Sequence, residues 1–274
     1  MILDGKKVSN EIIEDLTNKI LQLNKEVNFA IIWIGKDEAS SIYVNNKIKK
    51  CENAHINSKL YHLDENISEE ELLRLIQNLN NDKNIDGILL QRPVPEHIDI
   101  SKCFNLISEN KDIDGFSYKS VGKLVLGEPK FISCTPLGII KLLDYYNISV
   151  SGKNVVIINR SNIVGKPLFN LLVGRDATVT MCHSRTNNIE NFTKNADILI
   201  TAVGKPNFIT EDMIKEGAVV IDVGINRVGG KVCGDVDYDK VSKKASYITP
   251  VPGGVGPMTI AMVINNIYES VRDK

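Results

Sequence analysis

The feature that most constrains the fold is a series of short apolar segments in the second half of the chain, separated by stretches long enough for one helix each. The apolar segments cover residues 155–158, 178–182, 197–203 and 219–223. Short apolar runs that alternate with helical stretches are typical of βαβ units, in which successive strands are parallel. The second half is therefore predicted to form a Rossmann-like, doubly wound parallel sheet.

The first half also alternates between helix and strand. Apolar runs at 29–35 and 85–91 predict strands, and Ser68 with Glu71 forms the signature of a capping box for a helix over 68–80. The fold class is therefore α/β, with two α/β lobes and a cleft between them. Residues 117–134 lack a clear period and are interpreted as the connection, after which Thr135 caps a helix that begins at Pro136. The expected domains are 1–119, with a C-terminal helix 258–274 packing back on it, and 135–251.

Composition argues against several classes of function. The formal net charge is −1 over 274 residues, so no global field favours nucleic acid. No apolar run approaches the roughly 20 residues that a membrane span needs, and the first residues lack a secretory signal. The five cysteines and four histidines show no metal-ligand spacing, so no metal is expected. Scattered, odd-numbered cysteines predict free thiols and a cytoplasmic protein.

The turn after residue 158 has the position of a dinucleotide-binding corner without its usual glycines. Asn159, Arg160 and Ser161 occupy the turn. At the end of the next strand, where NAD-binding folds carry a carboxylate for the ribose, Ser184 and Arg185 follow instead. A hydroxyl and a guanidinium can hold an additional phosphate that a carboxylate would repel, which favours NADP over NAD. The alternative is an ordinary corner with a solvated arginine.

Polar residues in the first half suggest a second site. Tyr43 and Lys47 are an i,i+4 pair beside an apolar helical stripe, where a lysine is more often a snorkelling side chain. Gln91 ends a predicted strand, and Asp114 lies at a tight glycine turn; a hydrogen-bonded loop is the alternative for both. The glycine-rich segment 250–259 is either a hinge or a place where backbone lies against a ligand.

Nine short motifs carry a resemblance to a known family. In chain order they are YVNNK, LLQRPVP, KDIDGF, CTPLG, NRSNIVGKP, CHSRT, DVGIN, GDVD and PGGVGPMT. The chain resembles the bifunctional methylenetetrahydrofolate dehydrogenase/methenyltetrahydrofolate cyclohydrolase family over essentially its whole length. Nine motifs in order and at family-like separations are far more specific than any one of them.

The resemblance implies oxidation of 5,10-methylene-tetrahydrofolate by NADP, followed by hydrolysis of the methenyl product to 10-formyl-tetrahydrofolate. It also implies a homodimer formed through the nucleotide domain. The implied catalytic residues are Tyr43, Lys47, Gln91 and Asp114. The implied substrate contacts are Tyr43, Lys47, Leu90, Gln91, Arg92, Asp114, Pro252, Gly253, Gly254, Val255 and Gly256, and the cofactor contacts are Asn159, Arg160, Ser161, Ser184, Arg185 and Ile225.

The two reactions make different demands on these residues. Hydride removal from the bridging carbon leaves a cation and needs positioning rather than a proton relay. Hydrolysis needs proton transfers, for which Lys47 is the candidate because burial and a substrate cation would lower its pKa. Tyr43 would stack on or orient the pterin, Gln91 would bond the lysine or the water, and Asp114 would accept hydrogen bonds from the pterin edge.

Two residues depart from the family's pattern. Asn159 stands where glycine is frequent, and is expected to adopt the left-handed backbone conformation that asparagine tolerates. Arg92 stands where an apolar residue is usual, and would either perturb Lys47 or attract the glutamate tail of the folate. Two other functions stay open: a nicotinamide-dependent dehydrogenase of another small metabolite, or a non-catalytic dinucleotide-binding protein.

Overall fold

The computed structural model describes residues 1–272, apart from the side chains of Glu38 and Ala39. Helices and strands alternate along most of the chain. The helices are α1 (Gly5–Leu21), α2 (Glu38–Asn53), α3 (Glu69–Asn81), α4 (Ile100–Leu106), α5 (Tyr118–Val125), α6 (Cys134–Tyr145), α7 (Gly165–Val173), α8 (Glu190–Thr193), α9 (Tyr238–Lys244) and α10 (Val255–Val271). The strands are β1 (Val27–Ile34), β2 (Ile56–Leu63), β3 (Gly87–Leu90), β4 (Asn154–Ile158), β5 (Thr178–Cys182), β6 (Ile198–Thr201), β7 (Val219–Asp222), β8 (Asn226–Val228), β9 (Lys231–Cys233) and β10 (Tyr247–Ile248).

The chain divides into two compact units. Unit 1 comprises Met1–Asn10 and Ser133–Met262, and unit 2 comprises Glu11–Ile132 and Val263–Lys274. Helix α10 contributes residues to both units, and the last two residues of the segment predicted as a C-terminal helix lie outside the described residues. None of the helices in the described part of the chain is long and apolar enough to cross a membrane.

Unit 2 is built on a three-stranded parallel sheet in the order β2-β1-β3. One face of the sheet packs Ile32 and Leu90 against Leu72 and Ile76 of α3, which forms a continuous apolar core. The predicted capping box of α3 is confirmed: Ser68 accepts from the backbone N–H of Glu71, and the Glu71 side chain accepts from that of Ser68. The core thus holds the carboxyl ends of β1 and β3 in a fixed register.

Unit 1 is built on a five-stranded parallel sheet in the order β10-β7-β6-β4-β5. When the strands of this sheet are counted in chain order, this is the doubly wound order 2-1-3-4-5. The apolar segments predicted a doubly wound parallel sheet, but not the order of its strands or the fifth strand, β10. The order reverses between β4 and β6, and ligands of such sheets bind at the carboxyl ends of the strands at this switch point. A two-stranded antiparallel hairpin, β8–β9, follows the strand β7 and lies outside the sheet.

Two local predictions around the connection are wrong. Residues 117–134 contain the helix α5, which Ser117 caps by accepting from the backbone N–H of Ser120, and which belongs to unit 2. This helix has only eight residues and buries few of them, too few to establish a visible period. The next helix, α6, begins at Cys134 with Ser133 as its N-cap residue rather than Thr135. The Thr135 hydroxyl instead lies 3.0 Å from that of Thr259, so a tertiary contact takes the place of the expected cap.

Candidate active and cofactor sites

Lys47 lies on the buried face of α2, whose first turn is fixed by Asp37 accepting from the backbone N–H of Ser40. The Lys47 side chain is only 5% exposed. Its Nζ donates to Oε1 of Gln91 at 3.1 Å and lies 4.7 Å from the centroid of the Tyr43 ring. The lysine is therefore an enclosed amine with an amide oxygen and an aromatic ring beside it, and the i,i+4 spacing on α2 accounts for the ring.

Gln91 reaches this lysine because of its own backbone and side-chain hydrogen bonds. Its N–H donates to the carbonyl of Ile32 at 2.8 Å, which continues the pairing of β3 with β1. Its Nε2 donates to the carbonyl of Arg92 at 2.7 Å, which leaves Oε1 turned towards Lys47. The sheet thus positions the glutamine, and the following turn orients its amide.

The neighbours of Gln91 differ in exposure. Leu90 is 1% exposed and packs in the core of unit 2, so a substrate contact at this residue has to be made by its backbone. The side chain of Arg92 is exposed to solvent, while its carbonyl holds the Gln91 amide. One turn beyond Lys47 on α2, burial raises the pKa of the Cys51 thiol to about 12, so this cysteine stays neutral beside the amine.

The charged residues of KDIDG have different tasks. Lys111 is buried, and its Nζ donates to the carbonyls of Leu79, Asn80 and Asp82 at 2.7–2.9 Å, at the C-terminal end of α3. A lysine at this position satisfies the last carbonyls of the helix and complements its dipole. This residue therefore holds α3 in place.

Asp112 and Asp114 are two residues apart but differ in burial. Asp112 is buried and accepts from the backbone N–H groups of Phe116 and Ser117 and from the Ser120 hydroxyl. Its carboxylate is therefore occupied by the turn and the start of α5. Asp114 is half-buried, so the second aspartate is the one with surface to offer a substrate.

In unit 1, the corner after β4 is held by the side chain of Asn159. Its Oδ1 accepts from the N–H and the hydroxyl of Ser161 and from the N–H of Gly165, while its Nδ2 donates to the carbonyl of Ala202. The last bond joins the ends of β4 and β6 across the switch point. The φ angle of Asn159 is not positive, so the prediction of a left-handed backbone at this residue is wrong. Its side chain, rather than a permissive backbone, shapes the turn.

Gly165 allows the helix α7 to start close to this corner. A Cβ built on it would lie 2.2 Å from the carbonyl oxygen of Asn159, so a larger residue would push the helix away. The single glycine of the corner therefore supplies the close helix–strand packing that doubly wound dinucleotide folds need.

A cavity of about 410 Å³ opens at the switch point, lined by residues that follow β4, β5 and β6. Arg160 and Ser184 line it, and Arg185 is the next residue along. Within the described residues, the side chains of these three form no hydrogen bond or salt bridge, and Arg160 and Arg185 are exposed. Their chemistry fits a phosphate: two guanidinium groups and a hydroxyl with free donors. The side chains of Asn159 and Ser161, in contrast, are engaged in the turn.

A second cavity of unit 1, about 140 Å³, is lined by Ile225 together with the glycine-rich segment 252–256. Ile225 is exposed, whereas Val255 is buried. The segment is tied down by the N–H of Lys6, which donates to the carbonyl of Gly253 at 2.9 Å. Gly253 has φ of 111°, a conformation that L side chains rarely adopt.

Most of the predicted site residues other than Asp114 therefore fall into three groups. The first, in unit 2, brings Lys47 and Gln91 into contact with Tyr43 nearby. The other two are the switch-point cavity and the smaller cavity, both in unit 1. The smaller cavity combines a predicted cofactor residue, Ile225, with predicted substrate residues of the segment 252–256.

Comparison with known families accounts for both units. Residues 3–114 match the catalytic domain of tetrahydrofolate dehydrogenase/cyclohydrolase, and residues 133–274 match the NAD(P)-binding domain of the same proteins. The chain belongs to the tetrahydrofolate dehydrogenase/cyclohydrolase family. The resemblance carried by the nine motifs is therefore confirmed.

Relatives of this family match over nearly the full length. A "Bifunctional protein FolD" of Agathobacter rectalis is 52% identical over 99% of each chain. The bifunctional FolD structure of Campylobacter jejuni has a TM-score of 0.98 at 48% identity, covering 100% of this chain and 99% of that one. The Trypanosoma brucei enzyme, described as complexed with NADP cofactor and inhibitor, has a TM-score of 0.95 at 34% identity, covering 100% and 97%.

In this tetrahydrofolate dehydrogenase/cyclohydrolase, sequence reasoning missed the residues that hold the site loops. No role was predicted for Lys111, and a hydrogen-bonded loop was only the alternative for the turn that Asp112 holds. Asp222 and Asp235, within the DVGIN and GDVD motifs, are both buried next to the two cavities. One feature of the sequence could have indicated their role: each of these two aspartates lies within two residues of a glycine, near the end of a strand.

Proposed function

We propose that this chain catalyses two consecutive reactions of one-carbon metabolism. It oxidises 5,10-methylene-tetrahydrofolate to the methenyl compound with NADP, and it hydrolyses the methenyl compound to 10-formyl-tetrahydrofolate. NADP is its cofactor. The observation that carries the assignment of roles is the enclosed Lys47 amine, 3.1 Å from the oxygen of Gln91, in a chain of this family.

For the oxidation, NADP supplies the hydride acceptor. The protein's part is to hold the two reactants, because the methylene carbon gives up a hydride without a proton transfer. Arg160, Ser184 and Arg185 bind the additional phosphate of the cofactor; their uncommitted donors around the switch-point cavity support this role. Asn159 and Ser161 shape the turn beneath it, and Ile225 contacts the cofactor further along.

For the hydrolysis, Lys47 moves the protons. As water adds to the methenyl carbon, the neutral amine takes one of its protons and then gives a proton to the departing nitrogen. The remaining hydroxyl proton leaves as the formyl carbonyl forms, so the reaction releases one proton overall. Gln91 orients the amine or the reacting water through the oxygen that already accepts from Lys47.

Asp114 and Tyr43 place the folate for both reactions. The carboxylate of Asp114 accepts two N–H bonds from the pterin edge, which fixes its orientation. The Tyr43 ring, already beside Lys47, stacks on the pterin. The backbones of Leu90 and Arg92 and the segment Pro252–Gly256 complete the substrate contacts, with Gly253, Gly254 and Gly256 allowing close approach.

The functional division along the chain follows from these roles. Residues 1–119 and 258–274 form the folate-binding catalytic domain, and residues 135–251 form the NADP-binding domain. The protein works in the cytoplasm as a homodimer joined through the nucleotide domain. In that domain, exposed Val228 on the β8–β9 hairpin gives the pairing an apolar contact. Sedimentation equilibrium of the wild type and a V228K variant tests the dimer, which the variant should weaken.

The decisive test measures NADPH formation from methylene-tetrahydrofolate, with NAD and NADP side by side. Disappearance of methenyl-tetrahydrofolate is followed separately without cofactor. We expect both activities and a preference for NADP. Reduction with another small metabolite but not with the folate would contradict the proposal, as would cofactor binding without turnover.

A further inference from the structure

Two carboxylates in unit 1 are buried without taking part in the proposed chemistry. Asp235 is 0% exposed and Asp222 is 3% exposed. Asp222 ends the strand β7, and Asp235 lies between the β8–β9 hairpin and the helix α9. Burial of a carboxylate is costly unless hydrogen bonds compensate for the lost water, so their surroundings need a specific explanation.

Asp235 compensates by binding the loop after β6. Its Oδ2 accepts from the backbone N–H of Val203 at 2.6 Å and of Gly204 at 3.3 Å, and its Oδ1 accepts from that of Lys205 at 3.0 Å. Oδ1 also accepts from Nδ2 of Asn226 at 2.9 Å. One side chain therefore fixes three consecutive N–H groups of one loop and a side chain of another.

Asp222 binds the backbone around its partner. Its Oδ1 accepts from the N–H of Gly224 at 2.9 Å and of Asp235 at 3.0 Å, and its Oδ2 accepts from that of Val236 at 3.0 Å. The two aspartates thus form a chain of contacts: Asp222, at the end of β7, holds the segment of Asp235, and Asp235 holds the loop after β6.

Two glycines make this arrangement possible. A Cβ on Gly224 would lie 2.2 Å from the carboxyl carbon of Asp235, and a Cβ on Gly234 would lie 1.9 Å from Oδ2 of Asp222. The Asp235 carboxylate therefore fills the space that a larger residue at position 224 would need. The Asp222 carboxylate does the same for position 234. We call this arrangement of Asp222, Gly224, Gly234 and Asp235 the aspartate interlock.

The interlock joins the two loops that line the cavities of unit 1. Val203 and Lys205 line the switch-point cavity, and Gly224 and Ile225 line the smaller one. We propose that Asp235, supported by Asp222, is a positioning residue that sets the spacing of these two loops and thereby the binding of NADP. This inference rests on the proposed function, since it takes the switch-point cavity and Ile225 as parts of the cofactor site.

The test compares Asp235→Asn with the wild type in both activities. An amide nitrogen in place of a carboxylate oxygen faces backbone N–H groups and cannot accept from them. We expect the KM for NADP to rise about tenfold or more, with a smaller fall in kcat of the oxidation. The kcat of methenyl-tetrahydrofolate hydrolysis, measured without cofactor, should stay within about twofold of the wild type, because Lys47 and Gln91, which carry its proton transfers, lie in unit 2.

Two further variants serve as a control and as a substitute for Asp235→Asn. Asp237→Asn, two residues along, removes a carboxylate that pairs with Lys240 on the surface, and should leave the KM for NADP unchanged. If Asp235→Asn does not fold, Asn226→Ala removes one bond to Asp235 and should raise the KM for NADP by a smaller factor.

The outcomes separate the inference from the function on which it rests. A wild type without NADP-dependent oxidation would overturn the proposed function. An active wild type with an unchanged KM for NADP in Asp235→Asn, or an equal loss of both activities in the folded variants, would overturn the positioning role alone.

Discussion

Lys47 in unit 2 and Arg160 in unit 1 are both cations at predicted sites, but they are placed in opposite ways. Lys47 is enclosed on a helix, with its amine against Gln91 and Tyr43. Arg160 is exposed on a turn at the edge of a cavity and is not engaged by other described residues. An enclosed amine is held in one place, where it can exchange protons with a bound substrate, whereas the exposed planar guanidinium of an arginine suits a phosphate. The difference teaches that placement, more than charge, separates a catalytic cation from a binding one.

The largest expected effect is that of replacing Lys47, the catalytic residue of this comparison. Replacement of Lys47 by Met should lower kcat of methenyl-tetrahydrofolate hydrolysis by about 10³-fold, since a general acid–base group is lost. Lys47→Arg should fail similarly, because a guanidinium does not give up its proton. Both are followed by loss of methenyl absorbance, with exposed Lys49→Met on the same helix as the control. Hydrolysis at the wild-type rate in Lys47→Met would remove the lysine from the mechanism.

The next effect extends the comparison to a buried acidic group, the carboxyl of Asp222. Burial, with the nearby carboxylate of Asp235 as a smaller cause, raises the pKa of Asp222 to about 6. Between the unfolded and folded pKa values the folded state retains a proton that the unfolded state has lost. The free energy of unfolding therefore falls as pH rises through this window, by about 3 kcal/mol for this group.

Urea unfolding of the wild type and of Asp222→Asn between about pH 4 and pH 7 measures this contribution. The stability of the wild type relative to the variant should decline across the range and level off above the folded pKa. A relative stability that rises with pH would mean that the Asp222 carboxylate is favoured by its surroundings.

A third effect separates the two aspartates of the KDIDG turn. Asp112→Asn replaces one of two acceptor oxygens with an NH2 donor that faces the donors of Phe116 or those of Ser117 and Ser120, and should lower the free energy of unfolding by about 2 kcal/mol. Asp114→Asn should change stability less and raise the KM for the folate substrate. Denaturant titration and steady-state kinetics of both variants check this. The reverse pattern would show that the first aspartate, rather than the second, meets the substrate.

The smallest effect tests the binding cation. Arg160→Gln should raise the KM for NADP by about tenfold and alter that for NAD little, because one charge-assisted contact to a phosphate is removed. Lys166→Gln, an exposed cation on α7 that is not among the residues lining the cavity, is the matched control. Equal effects of Arg160→Gln on NAD and NADP would place the arginine away from the additional phosphate.

Much of the fold could be predicted because it rests on local patterns. The strand β5 was predicted with its observed bounds, and the capping box of α3 with its two residues, since hydrophobic period and cap chemistry act over a few residues. The helix α5 was not predicted, because a helix this short is stabilised mainly by tertiary packing. The start of α6 was misplaced, because Thr135 contacts Thr259 instead of capping the helix.

The residue types of the candidate sites, and the family to which they belong, were determined by the sequence itself. Only the tertiary structure decided how each polar side chain is used: Asn159 bridges two strands, Asp112 holds a turn, and Asp235 joins two loops, while Arg160 and Ser184 keep their donors for a ligand. The physical reason is that a side chain's task depends on which donors and acceptors lie within about 3 Å of it. Those partners come from segments distant in the chain, which no local pattern reveals.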